Sequence, residues 1–205
     1  MGKIIGLTGM YCAGKNYVAA MLAAKGIPVL DVDKLGHQVI NLEREAIIER
    51  FGPSVLGDDG TVDRKRLGAL VFGKRAELAA LEDIVHPAAN RLTAEWIAAQ
   101  GERSCVINAA LLHRSSAFEK LDGIILVKAA WIIRLFRARR RDKLPWVQLL
   151  RRFYSQTKFI TQYLKKETDM YSVYNNGISP SRSSRKRSGT ERRIEQIISR
   201  IGMVK

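Results

Sequence analysis

Two glycines, the four residues between them and a lysine form the segment Gly9-Met10-Tyr11-Cys12-Ala13-Gly14-Lys15, which follows directly on Lys3-Ile4-Ile5-Gly6-Leu7-Thr8. This arrangement can bind phosphate. The glycines let the backbone curl so that its N–H groups converge on anionic oxygens. A helix rich in alanine and leucine follows, and its first turn adds further N–H groups and the positive end of its dipole. Lys15 supplies a point charge for the outer phosphates of a nucleoside triphosphate. The next position usually carries the Ser or Thr that ligates Mg²⁺, and here it is Asn16. An amide oxygen can still meet a hard cation or a water bound to one. A strand, a glycine-bounded loop, a lysine and a helix in this order specify a nucleotide site far better than the letters alone.

A second candidate is Asp33. Val29-Leu30-Asp31-Val32-Asp33 reads as a short buried strand ending in carboxylates, after a helix stop at Gly26 and Pro28. Ligands of open α/β sheets gather at the carboxyl ends of strands, where a carboxylate can meet a substrate hydroxyl. Asp33 could equally be the N-cap of a helix starting at Lys34. Position alone leaves both roles open.

The remaining elements must hold these groups. Residues 34–51 have helical character, Gly52-Pro53 ends it, and Asp58-Asp59-Gly60 makes a turn. Asp63 should cap a helix through Phe72. A further helix meets His86-Pro87, where the residue before proline is biased away from helix, and helix resumes from Asn90 to Gln100. Ser104–Asn108 and Gly123–Val127 are the third and fourth strands, the latter apolar throughout as in a parallel sheet covered on both faces. A basic helix begins near Ile132 and another at Pro145, joined around Asp142-Lys143-Leu144 as a flap. Tyr171–Asn175 is the last strand, and Ile194, Ile197, Ile198 and Ile201 line one face of a closing helix.

Composition sets the bounds. The 205 residues suit one domain, and 46% hydrophobic content is enough for a core. No apolar run approaches the ~20 residues that span a bilayer, and no signal peptide is expected, since the first apolar stretch ends in the glycine loop. Cys12 and Cys105 form neither a disulfide framework nor a metal-ligand spacing, so a reduced cytosolic protein is the expectation. A net charge of +15 points to nucleic acid or to small polyanionic substrates. Arg134, Arg137, Arg139, Arg140, Arg141 and Lys143 crowd the flap; Arg182 to Arg193 form a second basic tract.

Taken in order, these motifs resemble the dephospho-CoA kinase family. Gly6-Leu7-Thr8-Gly9 through Gly14-Lys15 is similar to the family's opening G-L-T-G-x-x-x-x-G-K, and Asp31-Val32-Asp33 to its D-x-D. Phe51-Gly52, Leu56, Asp59-Gly60, Asp63-Arg64, Leu67 and Val71-Phe72 follow its next pattern, then His86-Pro87. Arg137, Arg141-Asp142 and Gln156 match its lid, and Val173-Tyr174-Asn175-Asn176, followed at once by Gly177, its closing V-I-x-N-x-G. Two departures stand out. Asn16 replaces Ser or Thr, and the family's D-x-P-L-L-F-E is here Asn108-Ala109-Ala110-Leu111-Leu112-His113-Arg114.

The resemblance implies a three-layer α/β/α fold with a parallel five-stranded sheet, in one domain over residues 1–205. It would have a helical acceptor-binding insertion at 34–100 and a lid at 132–156, with a flexible basic loop at 179–193. It implies ATP-dependent phosphorylation of the ribose 3′-hydroxyl of dephospho-CoA, with Mg²⁺ near Asn16. Cys12, Ala13, Gly14, Lys15, Asn16, Tyr17, Arg137, Arg141, Gln156 and Asn176 would contact ATP. Lys15, Asp33 and Arg141 would carry the transfer, and Asp33, Arg64 and His86 would meet the acceptor. ATP and dephospho-CoA would be the partners of a monomer or small homo-oligomer, without membrane or nucleic acid. The competing readings are another phosphate-loop nucleoside or nucleotide kinase, or a catalytically impaired nucleotide- or RNA-binding homologue, which Asn16, Asn108 and the basic charge would suit.

Overall fold

The computed structural model describes residues 2–155, 168–177 and 189–203. One sheet contains β1 (Ile4–Gly9), β2 (Val29–Asp31), β3 (Cys105–Asn108), β4 (Gly123–Lys128) and β5 (Met170–Tyr174), in the order β2-β3-β1-β4-β5. The helices are α1 (Lys15–Ala24), α2 (Val32–Leu42), α3 (Arg44–Phe51), α4 (Arg64–Val71), α5 (Arg75–Ala99), α6 (Trp131–Asp142), α7 (Trp146–Ser155) and α8 (Gly189–Ile201). β1 lies parallel between β3 and β4, and β4 pairs in parallel with β5. The register sets Leu7 beside Asn108 and Gly9 beside Val127. The carboxyl ends of β1, β3 and β4 therefore share one edge, where parallel sheets place ligands.

Alternation along the strands decides which side chains meet which layer. Ile5 and Leu7 of β1, with Ile125 and Val127 of β4, pack against Val18 and Leu22 of α1 and Ile194, Ile197 and Ile198 of α8. On the opposite face Gly6 lies under Leu112 and Leu121; a Cβ there would approach their methyl carbons to 2.4 and 2.8 Å. Ile124 to Val127 have no exposed surface, which accounts for the unbroken apolar run of β4.

Contacts divide the chain into two compact units, Met1–Leu30 with Ile97–Lys205, and Asp31–Trp96. The second has its own core of Ile47, Val55, Val62, Leu67 and Val71. Arg50 and Glu77 pair at 2.9 Å within it. Asp63 caps α4 as expected, accepting from the Lys65 and Arg66 N–H groups at 2.7 and 3.2 Å. Among the described residues no helix is long and apolar enough to cross a membrane.

Four expectations are corrected. β2 stops at Asp31, because the Asp31 carboxylate accepts from the Lys34 N–H at 3.2 Å and so caps α2. Asp33 is therefore neither a strand end nor the N-cap; it lies in the first turn of α2. The helix expected over 34–51 is two helices, separated at Glu43. His86 and Pro87 lie inside α5, which runs unbroken for 25 residues. Proline removes one donor from that long ladder, and the remaining turns sustain the helix against its local preference. Residues 189–193, assigned from sequence to a basic loop, are the start of α8. Thr190 is buried and donates its hydroxyl to the Tyr174 carbonyl at 3.1 Å, tying this first turn to β5.

Leu126 tests how far β4 carries the fold. Its replacement by alanine should cost about 2–5 kcal/mol, the usual range for a fully buried leucine, and urea unfolding followed by circular dichroism measures the loss.

Candidate active site

The phosphate loop leaves β1 at Gly9. Its approach to β4 is close: the Met10 N–H donates to the Val127 carbonyl at 3.2 Å, and a Cβ on Gly9 would sit 2.9 Å from that same oxygen. The loop closes on itself where the Ala13 N–H donates to the Met10 carbonyl at 2.9 Å. Cys12 at φ 58° and Gly14 at φ 92° adopt left-handed backbone. Glycine is required at position 14 for a second reason, because a Cβ would lie 2.2 Å from the Asn175 amide nitrogen. α1 begins at Lys15 and has no acidic residue in its first turn, so its dipole remains available to an anion.

Two side chains from distant parts of the chain hold the loop through one atom. The Ala13 carbonyl accepts from Asn175 Nδ2 at 2.9 Å and from Arg137 Nη1 at 3.2 Å. Arg137 Nη2 also donates to the Gly177 carbonyl at 2.6 Å. One guanidinium on α6 thus joins the loop to the segment after β5. Asn176, expected at the nucleotide, accepts from the Ala130 N–H at 2.7 Å at the start of α6. Asn175 is buried and is the residue against the loop. The spacing held the signal: counted back from Gly177, an N-x-G pattern places its asparagine at position 175.

Helices α6 and α7 pack on the loop. Leu135 and Ala138 of α6 and Leu149 and Phe153 of α7 form a small core that includes Tyr11 and Cys12. The Tyr11 and Phe153 rings meet edge to face at 5.4 Å. Arg134 is buried, donates from Nε to the Tyr11 carbonyl at 2.8 Å and lies over the Phe153 ring; burial lowers its pKa. The Tyr11 hydroxyl donates to the Asp142 carboxylate. Asp142 also accepts from Arg141 at 2.7 Å and from Arg152 at 3.2 Å. The Arg141 hydrogen bond holds this carboxyl below the ordinary range, and burial raises the Cys12 thiol and the Tyr11 phenol. Arg141, expected over phosphates, lies across the Tyr11 ring and pairs with its neighbour.

At the end of β3, Asn108 is buried and donates from Nδ2 to Asn16 Oδ1 at 3.3 Å. The two positions at which the sequence departs from the expected magnesium ligands thus touch. Asn108 Oδ1 is buried without a hydrogen-bond partner among the described residues. No cluster of three or more His, Cys, Asp or Glu side chains suited to a metal occurs among those residues. The donor set here is two neutral amide oxygens. They suit a hydrated Mg²⁺ that takes most of its charge compensation from phosphates.

Of the other expected site residues, Tyr17 is on α1, while Asp33, Arg64 and His86 belong to the unit Asp31–Trp96. Arg64 is the exposed first residue of α4, and His86 is half-buried in α5. Gln156 lies outside the described residues.

A parallel sheet in this order, with a glycine loop and a lysine after its central strand, defines a phosphate-loop nucleotide-binding protein. A family model described as dephospho-CoA kinase matches residues 3–178. The chain is 36% identical over 179 residues to a dephospho-CoA kinase of Shouchella clausii, covering 84% of this chain and 89% of that one. It is 32% identical over 184 residues to one from Treponema pallidum, covering 85% and 87%. A crystal structure from Thermus thermophilus superposes with a TM-score of 0.76 at 29% identity, covering 98% of this chain and 96% of that one. The dephospho-CoA kinase of Campylobacter jejuni shares the fold, with a TM-score of 0.65, 22% identity and coverage of 98% and 97%. The chain belongs to the dephospho-CoA kinase family.

Two measurements probe the loop and the helices packed on it. Gly14→Ala should displace Asn175 and weaken nucleotide binding by at least about tenfold, the scale of one lost buried hydrogen bond, as read by calorimetry. Asp142 supplies stability above the ordinary carboxylate pKa of about 4, and that stability is lost as pH falls through its depressed native value. Asp142→Asn should therefore flatten the acid limb of a urea-midpoint profile below about pH 4.

Proposed function

We propose that this chain transfers the terminal phosphoryl group of ATP to the ribose 3′-hydroxyl of dephospho-CoA, giving coenzyme A. The observation that carries this reading is the loop Gly9–Lys15, fixed by Asn175 and Arg137 at the carboxyl edge of the sheet in a chain of this family. Phosphoryl transfer asks for positioning and charge neutralisation more than for covalent chemistry by the protein. The backbone from Cys12 to Tyr17 holds the phosphates, and Lys15 offsets charge on the outer two. Arg137 positions the loop, while Arg141, once released from Asp142, offers a second cation to the transferring group. Asn16, hydrogen-bonded to Asn108, would meet Mg²⁺ through its waters, and the bound ion would supply positive charge to the phosphate oxygens.

Asp33 orients the acceptor hydroxyl. As its oxygen bonds to phosphorus and the bond to ADP breaks, the proton passes to the Asp33 carboxylate. Arg64 and His86 belong to the acceptor's binding region. Closure of α6 and α7 over the phosphates keeps out the water that would otherwise take the phosphoryl group. A cytoplasmic location, and a monomer or small homo-oligomer, complete the proposal.

The test is an assay with ATP, Mg²⁺ or Mn²⁺ and dephospho-CoA beside a panel of nucleosides and nucleotides, with phosphorus NMR locating the new phosphate. Phosphate on the ribose 3′ position of dephospho-CoA is the expected product; preferential phosphorylation of another acceptor would sink the assignment. Lys15→Ala should abolish transfer. Asp33→Asn should lower kcat by about two to four orders of magnitude, the range of a general base, while calorimetry shows ATP binding kept. Near-normal turnover by either variant contradicts its role.

A further inference from the structure

Asn16 and Asn108 occupy the two places where phosphate-loop enzymes put a hydroxyl and a carboxylate around the nucleotide's metal. Here they contact each other instead, Asn108 Nδ2 donating to Asn16 Oδ1 at 3.3 Å. Asn108 is 1% exposed, and its own oxygen is buried without a hydrogen-bond partner among the described residues. A buried carbonyl without a donor costs about 1–3 kcal/mol, so a bound group that brings a donor is favoured there. Water on a divalent cation is such a donor, whereas the bare cation would take the oxygen as a ligand.

Charge and exposure decide between these. A carboxylate compensates the desolvation of a dication with a full negative charge; an amide oxygen offers only a dipole. Mg²⁺ also sheds water reluctantly and keeps several waters in most protein sites. Asn16 Oδ1 already accepts from Asn108, so it is not arranged as a strong direct ligand.

We infer that the Asn16–Asn108 amide pair is a charge-neutral outer-sphere metal site, which receives the cation as a hydrated passenger on the nucleotide and adds little affinity of its own. This rests on the nucleotide-binding reading above. Two consequences follow from the electrostatics. The protein discriminates weakly among divalent cations, because waters and phosphates, rather than its own side chains, set the coordination. Grip on the triphosphate falls more heavily on the loop amides and Lys15, so the protein binds metal-free nucleotide almost as well as its metal complex.

The experiment is a titration of Mn²⁺, followed by electron paramagnetic resonance of the free ion, into the full chain with a non-hydrolysable ATP analogue. Calorimetry measures binding of the same analogue in EDTA. The expected result is analogue binding in EDTA within about threefold of that with Mn²⁺, and a protein–analogue complex that holds Mn²⁺ within about threefold of the free analogue, as outer-sphere contact through water dictates. Asn108→Asp should then tighten Mn²⁺ about tenfold or more by adding one negative charge to the site. Asn16→Asp makes the same addition at an exposed position, so the test stands even if the buried aspartate disrupts folding. Wild-type protein that already holds Mn²⁺ tenfold tighter than free analogue overturns the inference, as does a lack of gain in a folded aspartate variant. Failure to bind the analogue under either condition overturns the nucleotide reading itself.

Discussion

One carbonyl oxygen, that of Ala13, governs the geometry of the site. It accepts from Asn175 at the end of β5 and from Arg137 on α6, so the sheet and α6 meet the phosphate loop at the same atom. A peptide unit restrained at its carbonyl is restrained in the direction of its N–H as well, because the group is planar. The neighbouring Gly14 can then hold its left-handed conformation, which its lack of a side chain makes inexpensive. The loop's amides are thereby aimed before any phosphate arrives, and such preorganisation is what makes an array of weak dipoles effective.

The basic excess takes a different meaning once the packing of α6 and α7 is seen. A run of arginines in sequence suggests a solvated face or a nucleic-acid patch. In the fold, Arg134 is buried against Tyr11 and Phe153, Arg139 lies over Trp146, Arg141 over Tyr11, and Arg152 on Asp142. Guanidinium groups serve here as flat packing surfaces and donors, a use that lysine could not replace. Asp142 collects three donors while Tyr11 supplies an aromatic floor, so one residue of the loop links it to both α6 and α7.

The amide pair at the end of β3 shows how little structural change a charge substitution needs. Asparagine keeps the size and shape of aspartate, and the register that pairs Leu7 with Asn108 is unaffected by which of the two is present. What changes is the electrostatic work available at the edge of the sheet. In a low-dielectric setting, a lost negative charge beside a dication outweighs most changes of shape.

Much of this protein was legible in its residues alone. The glycine spacing, the apolar run of β4, the isoleucine stripe of α8 and the Asp63 cap each state a local requirement of backbone or burial, and local requirements are written in local sequence. The exchange of Asp31 for Asp33 as the cap of α2, and the passage of α5 through Pro87, turned on which of two local preferences prevailed. Only the tertiary structure decided that Asn175 and Arg137 meet at the Ala13 carbonyl, that Asn16 and Asn108 touch, and that Arg134 is buried. Those facts depend on residues up to 162 positions apart. No periodicity or spacing can encode them, since strand order and register bring such residues together.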